Sequence, residues 1–275
     1  MEKPKDIINQ PQKLIQSTAN KYLGKTMSGI WRGTNGNDHY QGELNETLLG
    51  AEGNDTLYGS VIYGEEGRDR LFGYETDDRL FGGAGDDYLI GFNGNDNLNG
   101  GAGNDTLYGS NGAETLLGNR GNDSIVAGAE NDTLIGGSGA DTLYGGSVTP
   151  LSVKTTASQN ILYGGSGADT FNLSGAVVHM EDTLFRVKLA RSLGEETSPG
   201  SLVNVDVAVV KDFNLAEGDR IKLHSSLASS HRVGGNGNDS YIYATARGET
   251  ALIGIVENAS VAEVRSAINF VPFYG

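Results

Sequence analysis

Aspartates recur in this chain at intervals that can build a hard-cation site. Between Gly33 and Asn172 the sequence repeats about every nine residues in the form Gly-Gly-x-Gly-x-Asp-x-Leu-x, most clearly from Gly100 to Tyr108. The glycine-rich half is a tight turn that can wrap a cation. The x-Leu-x half is a three-residue strand with one inward side chain. So short a unit cannot bury its apolar residue alone and must stack on copies of itself. Two units make one flattened coil, so units two apart in sequence share an edge. Stacked strands lie about 4.8 Å apart, which brings the Asp of one turn close to the Asp of the next. Carboxylates so placed repel unless a cation sits between them. A cage of carboxylate and carbonyl oxygens selects calcium before zinc or copper.

Fifteen units can be registered, beginning at Gly33, Gly42, Gly50, Gly59, Gly64, Gly73, Gly82, Gly91, Gly100, Gly109, Gly118, Ala127, Gly136, Gly145 and Gly164. The inward column runs from Tyr40 through Leu48, Leu57, Ile62 and Leu71 to Leu162 and Phe171, with no polar residue breaking it. All odd-numbered units keep Gly at the fourth place and Asp at the sixth: Asp38, Asp55, Asp69, Asp87, Asp105, Asp123, Asp141 and Asp169. The even-numbered units are degraded. One is short and offers Glu46, one has lost its turn at Gly59, one offers Glu114, and one carries an insertion near 148–159. Thr76 and Glu130 stand where the fourth-place Gly belongs. Because that place calls for a positive φ, both argue against well-formed turns there. The expectation is one loaded calcium edge and one largely inactive edge, with weak candidates at Asp78, Asp96 and Asp132.

These nonapeptides resemble those of the RTX, or haemolysin-type, calcium-binding proteins, whose parallel β-roll binds Ca²⁺ between turns. The resemblance covers about half the chain. It implies that the first turn of each pair gives backbone carbonyls from its second and fourth places, and the next turn from its first and third. Both turns also give the sixth-place Asp. Carried onto this chain, the second-place carbonyls are those of Thr34, Ala51, Glu65, Gly83, Gly101, Asn119 and Gly137. The fourth-place carbonyls are those of Gly36, Gly53, Gly67, Gly85, Gly103, Gly121 and Gly139. First-place carbonyls come from Gly50, Gly64, Gly82, Gly100, Gly118, Gly136 and Gly164. Third-place carbonyls come from Glu52, Glu66, Ala84, Ala102, Arg120, Ser138 and Ser166. Eight odd turns enclose seven gaps, and seven divalent ions would carry 14 positive charges against a formal net charge of −15. The acidity is thus read as metal site rather than as a surface for a basic partner, and no nucleic-acid partner is expected.

After the repeats, Val209 to Leu223 is similar to the segment that follows them in RTX proteins exported by a type I pathway. Tyr241-Ile-Tyr and Ala251 to Asn258 resemble the tail of small cyanobacterial members of that group. The resemblance implies a secreted, extracellular protein with its export address in the last 50 or so residues. The N-terminus offers Lys3 and Lys5 but no apolar run before Trp31, so no Sec signal is read there. No stretch approaches the ~20 apolar residues of a membrane-spanning helix.

The fold class expected is all-β: a right-handed parallel β-roll over 31–172, a short part-helical N-terminal segment over 1–30, and a small antiparallel β cap over 173–275. Gly234 to Asp239 is one more loop-like match, read as a hairpin turn. With 42 glycines and no cysteine among 275 residues, bound metal is the available staple. Enzyme signatures are missing. There is no His-Glu-x-x-His, the histidines (His39, His179, His224, His231) lack zinc spacing, and no Gly-x-Ser-x-Gly occurs. The third place of the odd turns holds no regular Thr row, which argues against ice binding. Outward ninth-place residues such as Tyr58, Phe72, Tyr63 and Phe81 form an apolar strip. It is read first as cross-strand packing, and second as a surface for a cell-surface, polysaccharide or protein partner.

Overall fold

The computed structural model describes residues 25–26, 29–145, 159–173, 207–224, 231–246 and 249–271. Of the part-helical segment expected over 1–30, Lys25–Thr26 is a strand that pairs antiparallel with Ile30–Arg32, while residues 1–24 and 27–28 lie outside the described residues, as do the loop 182–199 and, except for Gln159, the insertion near 148–159.

Each x-Leu-x triplet forms a strand, and the strands sort by parity into two sheets. Even-unit strands such as Asn97–Ala102, Thr115–Arg120 and Thr133–Ser138 build one sheet, and odd-unit strands such as Tyr88–Asn93, Thr106–Asn111 and Ser124–Ala129 build the other. Neighbours are parallel and in strict register: Leu98 lies beside Leu116, and Leu107 beside Ile125. Equivalent side chains therefore stack, and the inward leucines from Leu48 to Leu162 are fully buried between the sheets. Each such burial stabilises the roll by about 1.5–3 kcal/mol. At the N-terminal end Trp31 lies flat on Tyr40 with ring centroids 4.4 Å apart, closing the first coil. The outward aromatics stack on one another, Tyr58 on Phe72 at 4.8 Å and Tyr63 on Phe81 at 4.7 Å.

Stacking does not stop at residue 172. Val207–Val210 pairs parallel with Gln159–Ser166, and Arg220–His224 pairs parallel with Thr170–Asn172, setting Ile221 beside Phe171. Glu249–Val256 and Ile268–Val271 add one more parallel strand to each sheet. Val207–Val210 and Arg220–His224, read from sequence as part of an antiparallel cap, thus continue the roll. Their apolar residues find the same inward column when the chain keeps the parity of the coils. At the C-terminal end the antiparallel part is His231–Gly235, Ser240–Ala246 and Glu249–Val256. Gly234 to Asp239 lies at the hairpin between the first two, with Gly237 at φ 118°. A helix, Val261–Ala267, starts at a capping box: the Ser260 hydroxyl accepts from the N–H of Glu263, whose carboxylate accepts from the N–H of Ser260.

Two turn places take a positive φ. The fourth-place glycines do so from Gly53 to Gly139, as the sequence predicts, and the second place does so as well, at Ala51, Glu65, Gly83, Gly101, Asn119 and Gly137. Glu130 also adopts φ 80°, so its turn is formed despite the missing Gly, whereas Thr76 is not among the positive-φ residues. At Gly103, φ is 134° and an added Cβ would overlap the carbonyl oxygen of Gly85 in the turn below. Gly103→Ala should therefore lower stability by at least about 2 kcal/mol, combining left-handed strain with overlap. Glu130→Gly should raise it by about 1 kcal/mol by removing the strain alone. Urea unfolding at saturating calcium measures both, and shifts of the same sign would contradict this turn geometry.

Candidate metal centre

The odd-numbered turns line one edge, and their aspartates form a continuous ladder. The N–H of Asp38 donates to Oδ1 of Asp55 at 2.8 Å, and that of Asp55 to Oδ1 of Asp69 at 2.8 Å. The same 2.8 Å bond links Asp69 to Asp87, Asp87 to Asp105, Asp105 to Asp123 and Asp123 to Asp141. Asp141 reaches Asp169 at 2.9 Å. Each interior carboxylate thus spends one oxygen on the backbone of the turn before it.

The other oxygen has no such use. Oδ2 of Asp55, Asp69, Asp87, Asp105, Asp123, Asp141 and Asp169 is buried and makes no hydrogen bond. A native interior rarely tolerates that, because an unpaired buried polar group costs about 1–3 kcal/mol, and more when charged. Seven repetitions in one column mark a missing ligand rather than seven defects.

Backbone oxygens converge on the same spaces. A Cβ on Gly82 would overlap both Oδ2 of Asp87 and the carbonyl oxygen of Gly100 in the next turn. Gly50, Gly64, Gly118 and Gly136 repeat the pattern with Asp55 and Gly64, Asp69 and Gly82, Asp123 and Gly136, and Asp141 and Gly164. First-place glycine is thus required by space: any side chain would fill the cradle between two oxygens. From Glu66 to Ser166 the third-place carbonyls each accept one fourth-place N–H, as Ala102 does from Gly85 at 2.7 Å and Arg120 from Gly103 at 2.8 Å. One lone pair on each remains for a cation. The side chains of Glu52, Glu66, Ala84, Arg120, Ser138 and Ser166 are exposed, so any ligation from these places is by backbone. Among the described residues no three acidic, imidazole or thiolate side chains converge on one point. Two carboxylates and several carbonyls per gap form the donor set instead.

The first odd turn departs from the rest. Oδ2 of Asp38 already accepts from the N–H of Thr34 at 2.6 Å and from its hydroxyl at 3.0 Å, and Gly36 is not among the positive-φ glycines.

The even edge divides in two. Toward the N-terminus, side chains fill it. The Tyr74 hydroxyl donates to the carbonyl of Gly42 at 2.5 Å, and the Tyr40 hydroxyl to Glu46 at 3.1 Å. Asp78 accepts from the N–H of Tyr74 at 2.5 Å and from the Thr76 hydroxyl at 3.0 Å. Beyond it the metal-type geometry returns. Asp78 donates its N–H to Asp96 at 2.9 Å and Glu114 to Asp132 at 3.0 Å, while Oδ2 of Asp96 and both carboxylate oxygens of Glu114 are buried without a hydrogen bond.

Burial pushes these acids up. Desolvation, partly offset by the N–H of the neighbouring Asp, takes Asp55, Asp96 and Asp169 to about 6, Asp105 and Asp141 to about 7, and Asp87 to about 8. Adjacent carboxylates push the same way: Asp105 and Asp69 act on Asp87, and Asp123 acts on Asp105. Glu114 is raised by burial and by its contact with Asp132. A divalent cation would reverse both causes at once, which is why these residues fit calcium.

One ladder escaped the sequence reading. The fifth-place side chain accepts the fifth-place N–H of the next turn, as Asn37 does from Asn54 at 2.9 Å, Asp86 from Asn104 at 2.8 Å and Asn104 from Asn122 at 2.9 Å. The frequent Asn before each Asp was the available signal.

The spacing of these turns is that of a known repeat family. The RTX calcium-binding nonapeptide repeat family (4 copies) matches residues 40–60, 61–89, 90–125, 117–148 and 153–175. No curated protein matches the chain. Among solved structures, the chain is similar to the AlgE6R3 subunit of the Azotobacter vinelandii mannuronan C5-epimerase, a solution structure, at 20% identity and a TM-score of 0.32. That match covers 72% of this chain and 80% of the other. Stacked nonapeptides, aspartates in register and a family match across the same units lead to one assignment: residues 40–148 and 153–175 are RTX calcium-binding nonapeptide repeats.

Proposed function

We propose that the chain is a non-enzymatic, secreted protein whose roll folds when calcium fills the odd edge. The observation that carries this reading is the column of buried, unbonded Oδ2 atoms from Asp55 to Asp169. The six gaps from Asp55–Asp69 to Asp141–Asp169 hold the full donor set. The gap from Asp38 to Asp55 completes the seven expected from the sequence and is the weakest, because Thr34 occupies its lower carboxylate. Extracellular calcium modules bind with dissociation constants on the order of 10⁻⁴–10⁻³ M. At low cytosolic calcium the aspartates repel and the chain stays unfolded and exportable. Outside, millimolar calcium folds it. RTX repeats are a structural calcium-binding unit, and a role at the cell surface, in the matrix or in adhesion fits a rigid roll. The outward strip of Tyr58, Phe72, Tyr63 and Phe81 offers a face for a polysaccharide or protein partner.

Circular dichroism in EDTA should show coil, turning to β on adding millimolar calcium; a spectrum indifferent to calcium would count against the proposal.

Asp105 lies between two complete gaps, whereas the rung after Asp132 is the neutral Asn160, whose Oδ1 accepts from the Asp132 N–H at 2.9 Å. Asp105→Ala should therefore raise the calcium midpoint of refolding more than Asp132→Ala. Equal shifts would refute the unequal-edge reading.

Acidity acts in opposite senses with and without metal. In calcium-free protein the raised acids, at about 6 to about 8 for Asp55, Asp105 and Asp87, favour the folded state while protonated. That stabilisation is complete below the unfolded value of roughly 4 and is lost as pH rises through about 6 to 8. Calcium-free protein should hold more β structure at pH 4.5 than at pH 8.5. Protons compete with calcium, so the calcium midpoint should rise as pH falls below about 7. Circular dichroism across pH in chelator-treated buffer checks the first trend, and calcium titrations at fixed pH check the second.

A further inference from the structure

Eight strands of the even sheet, from Ile30–Arg32 to Gln159–Ser166, stack parallel and in register. The residues flanking each inward side chain point outward, and none of them is acidic, although the chain has 35 acidic residues. One outward column is largely apolar: Leu49, Tyr63, Phe81, Leu117, Ile135 and Tyr163, all at least partly exposed. The two cations on this face are engaged within the chain. Arg32 pairs with Glu65 at 3.7 Å, and the Arg79 guanidinium lies 5.8 Å from the centre of the Phe81 ring. Tyr63 and Phe81 lie parallel with centroids 4.7 Å apart, so their faces point along the row and their edges outward. That favours packing against apolar side chains over stacking of a sugar ring.

Free charge begins at the rim of this face, where its strands run into the odd turns. Glu66 and Arg120 stand there three strands apart, both exposed and, among the described residues, without an ion pair. Consider a second copy turned about a two-fold axis that runs along the strands, between Arg79–Ala84 and Asn97–Ala102. The strand order reverses, the odd edges stay on one side, and each Arg120 faces Glu66 of the partner copy. The same operation sets Tyr63 against Leu117, Leu49 against Ile135 and Ile30 against Ile161, with Arg32 opposite Tyr163. No carboxylate on the face falls opposite another. At about 4.8 Å spacing the eight strands span about 34 Å, and a strand of six residues runs about 20 Å, so each copy covers about 700 Å². The total of about 1,400 Å² lies within the roughly 1,200–2,000 Å² of specific interfaces.

We propose that this face is the interface of a two-fold dimer of the chain, with the strand order of the copies opposed and an Arg120–Glu66 contact on either side of the axis. An isologous contact asks one surface to match itself. A neutral apolar column bounded by opposite charges at dyad-related positions does so, and a foreign partner would need no such symmetry. The inference deepens the reading of the outward strip as a surface for a protein partner, and names that partner as a second copy. It also rests on the calcium reading. The two odd edges lie side by side in the pair, and their aspartates repel unless calcium fills both.

Sedimentation equilibrium of the full chain at saturating calcium tests it. Wild type should pass from monomer to dimer with a dissociation constant on the order of 10⁻⁶ M, as suits an interface of this size. Arg120→Glu sets acid against Glu66 on both sides of the axis and should weaken the dimer at least about tenfold. Glu66→Arg should do the same, and the double exchange should restore the wild-type constant to within about threefold. Leu117→Lys should leave only monomer up to about 100 µM. Tyr144→Lys, on the outer face of the odd sheet, should leave the dimer unchanged. Circular dichroism with calcium checks that each variant folds. A wild type that folds with calcium yet stays monomeric at about 100 µM would overturn the dimer and leave the calcium roll intact. So would a double exchange as weak as either single one, or a dimer lost in Tyr144→Lys and kept in Leu117→Lys. A wild type that gains no β structure with calcium would remove the calcium reading itself.

Discussion

The bond from each aspartate N–H to the next aspartate's Oδ1 fixes the vertical spacing of the whole odd edge. Its sequence separations are 17, 14, 18, 18, 18, 18, 28 and 50 residues from Asp38 to Asp219, yet its length stays between 2.8 and 3.0 Å. Every shortening and every insertion has therefore been absorbed on the opposite edge or outside the turn. A register error of one residue would turn the inward leucines outward. It would also take the carboxylate away from its donor. Core packing and ligand placement are thus one constraint, since the same backbone trace sets both.

The opposite edge shows what the fold does where that constraint is relaxed. Near Gly42 and Gly59 the units are too short for a cation turn, and the Tyr74 hydroxyl spans to the carbonyls of Gly42 and Tyr58. A phenol supplies a hydrogen there, beside the buried carboxylates of Glu46 and Asp78. Farther along, Asp96 and Glu114 bury carboxylate oxygens again. Turn length, more than the presence of an acid, separates these two halves.

Much of this was legible in the sequence because the decisive residues are periodic. The inward column, the parity of the edges and the fourth-place positive φ all follow from a nine-residue spacing. The second-place positive φ was hidden because Ala51, Glu65 and Asn119 occupy it as well as glycine, and composition there does not announce a conformation. Glu130 shows the converse: beside the turn of Gly112, it takes φ 80°, a region its own side chain disfavours. The parallel course of 207–224 was missed because Gly218 and Asp219 are adjacent, one residue short of the repeat, and the similarity to a turn survives only in three dimensions. Ser260 and Glu263, by contrast, write a helix start into the sequence in the ordinary way.

How each edge ends clarifies why the two differ in charge. The even ladder closes on Asn160, fully buried, whose amide donates to the carbonyl of Gly145 at 3.0 Å while its oxygen accepts from Asp132. A neutral side chain satisfies both neighbours and asks for nothing more. The odd ladder closes on Asp219, whose Oδ2 accepts from the N–H of Asn214 at 2.8 Å, with Asp212 and Glu217 beside it. Each of these three carboxylates accepts N–H bonds on both oxygens, which the single oxygen of an amide could not do. The odd edge therefore ends on charged acceptors because its last turn presents more N–H groups than one amide can satisfy. The edge that ends in an amide is the one whose first turns are filled by side chains, Tyr74 reaching the carbonyl of Gly42 and Tyr40 reaching Glu46.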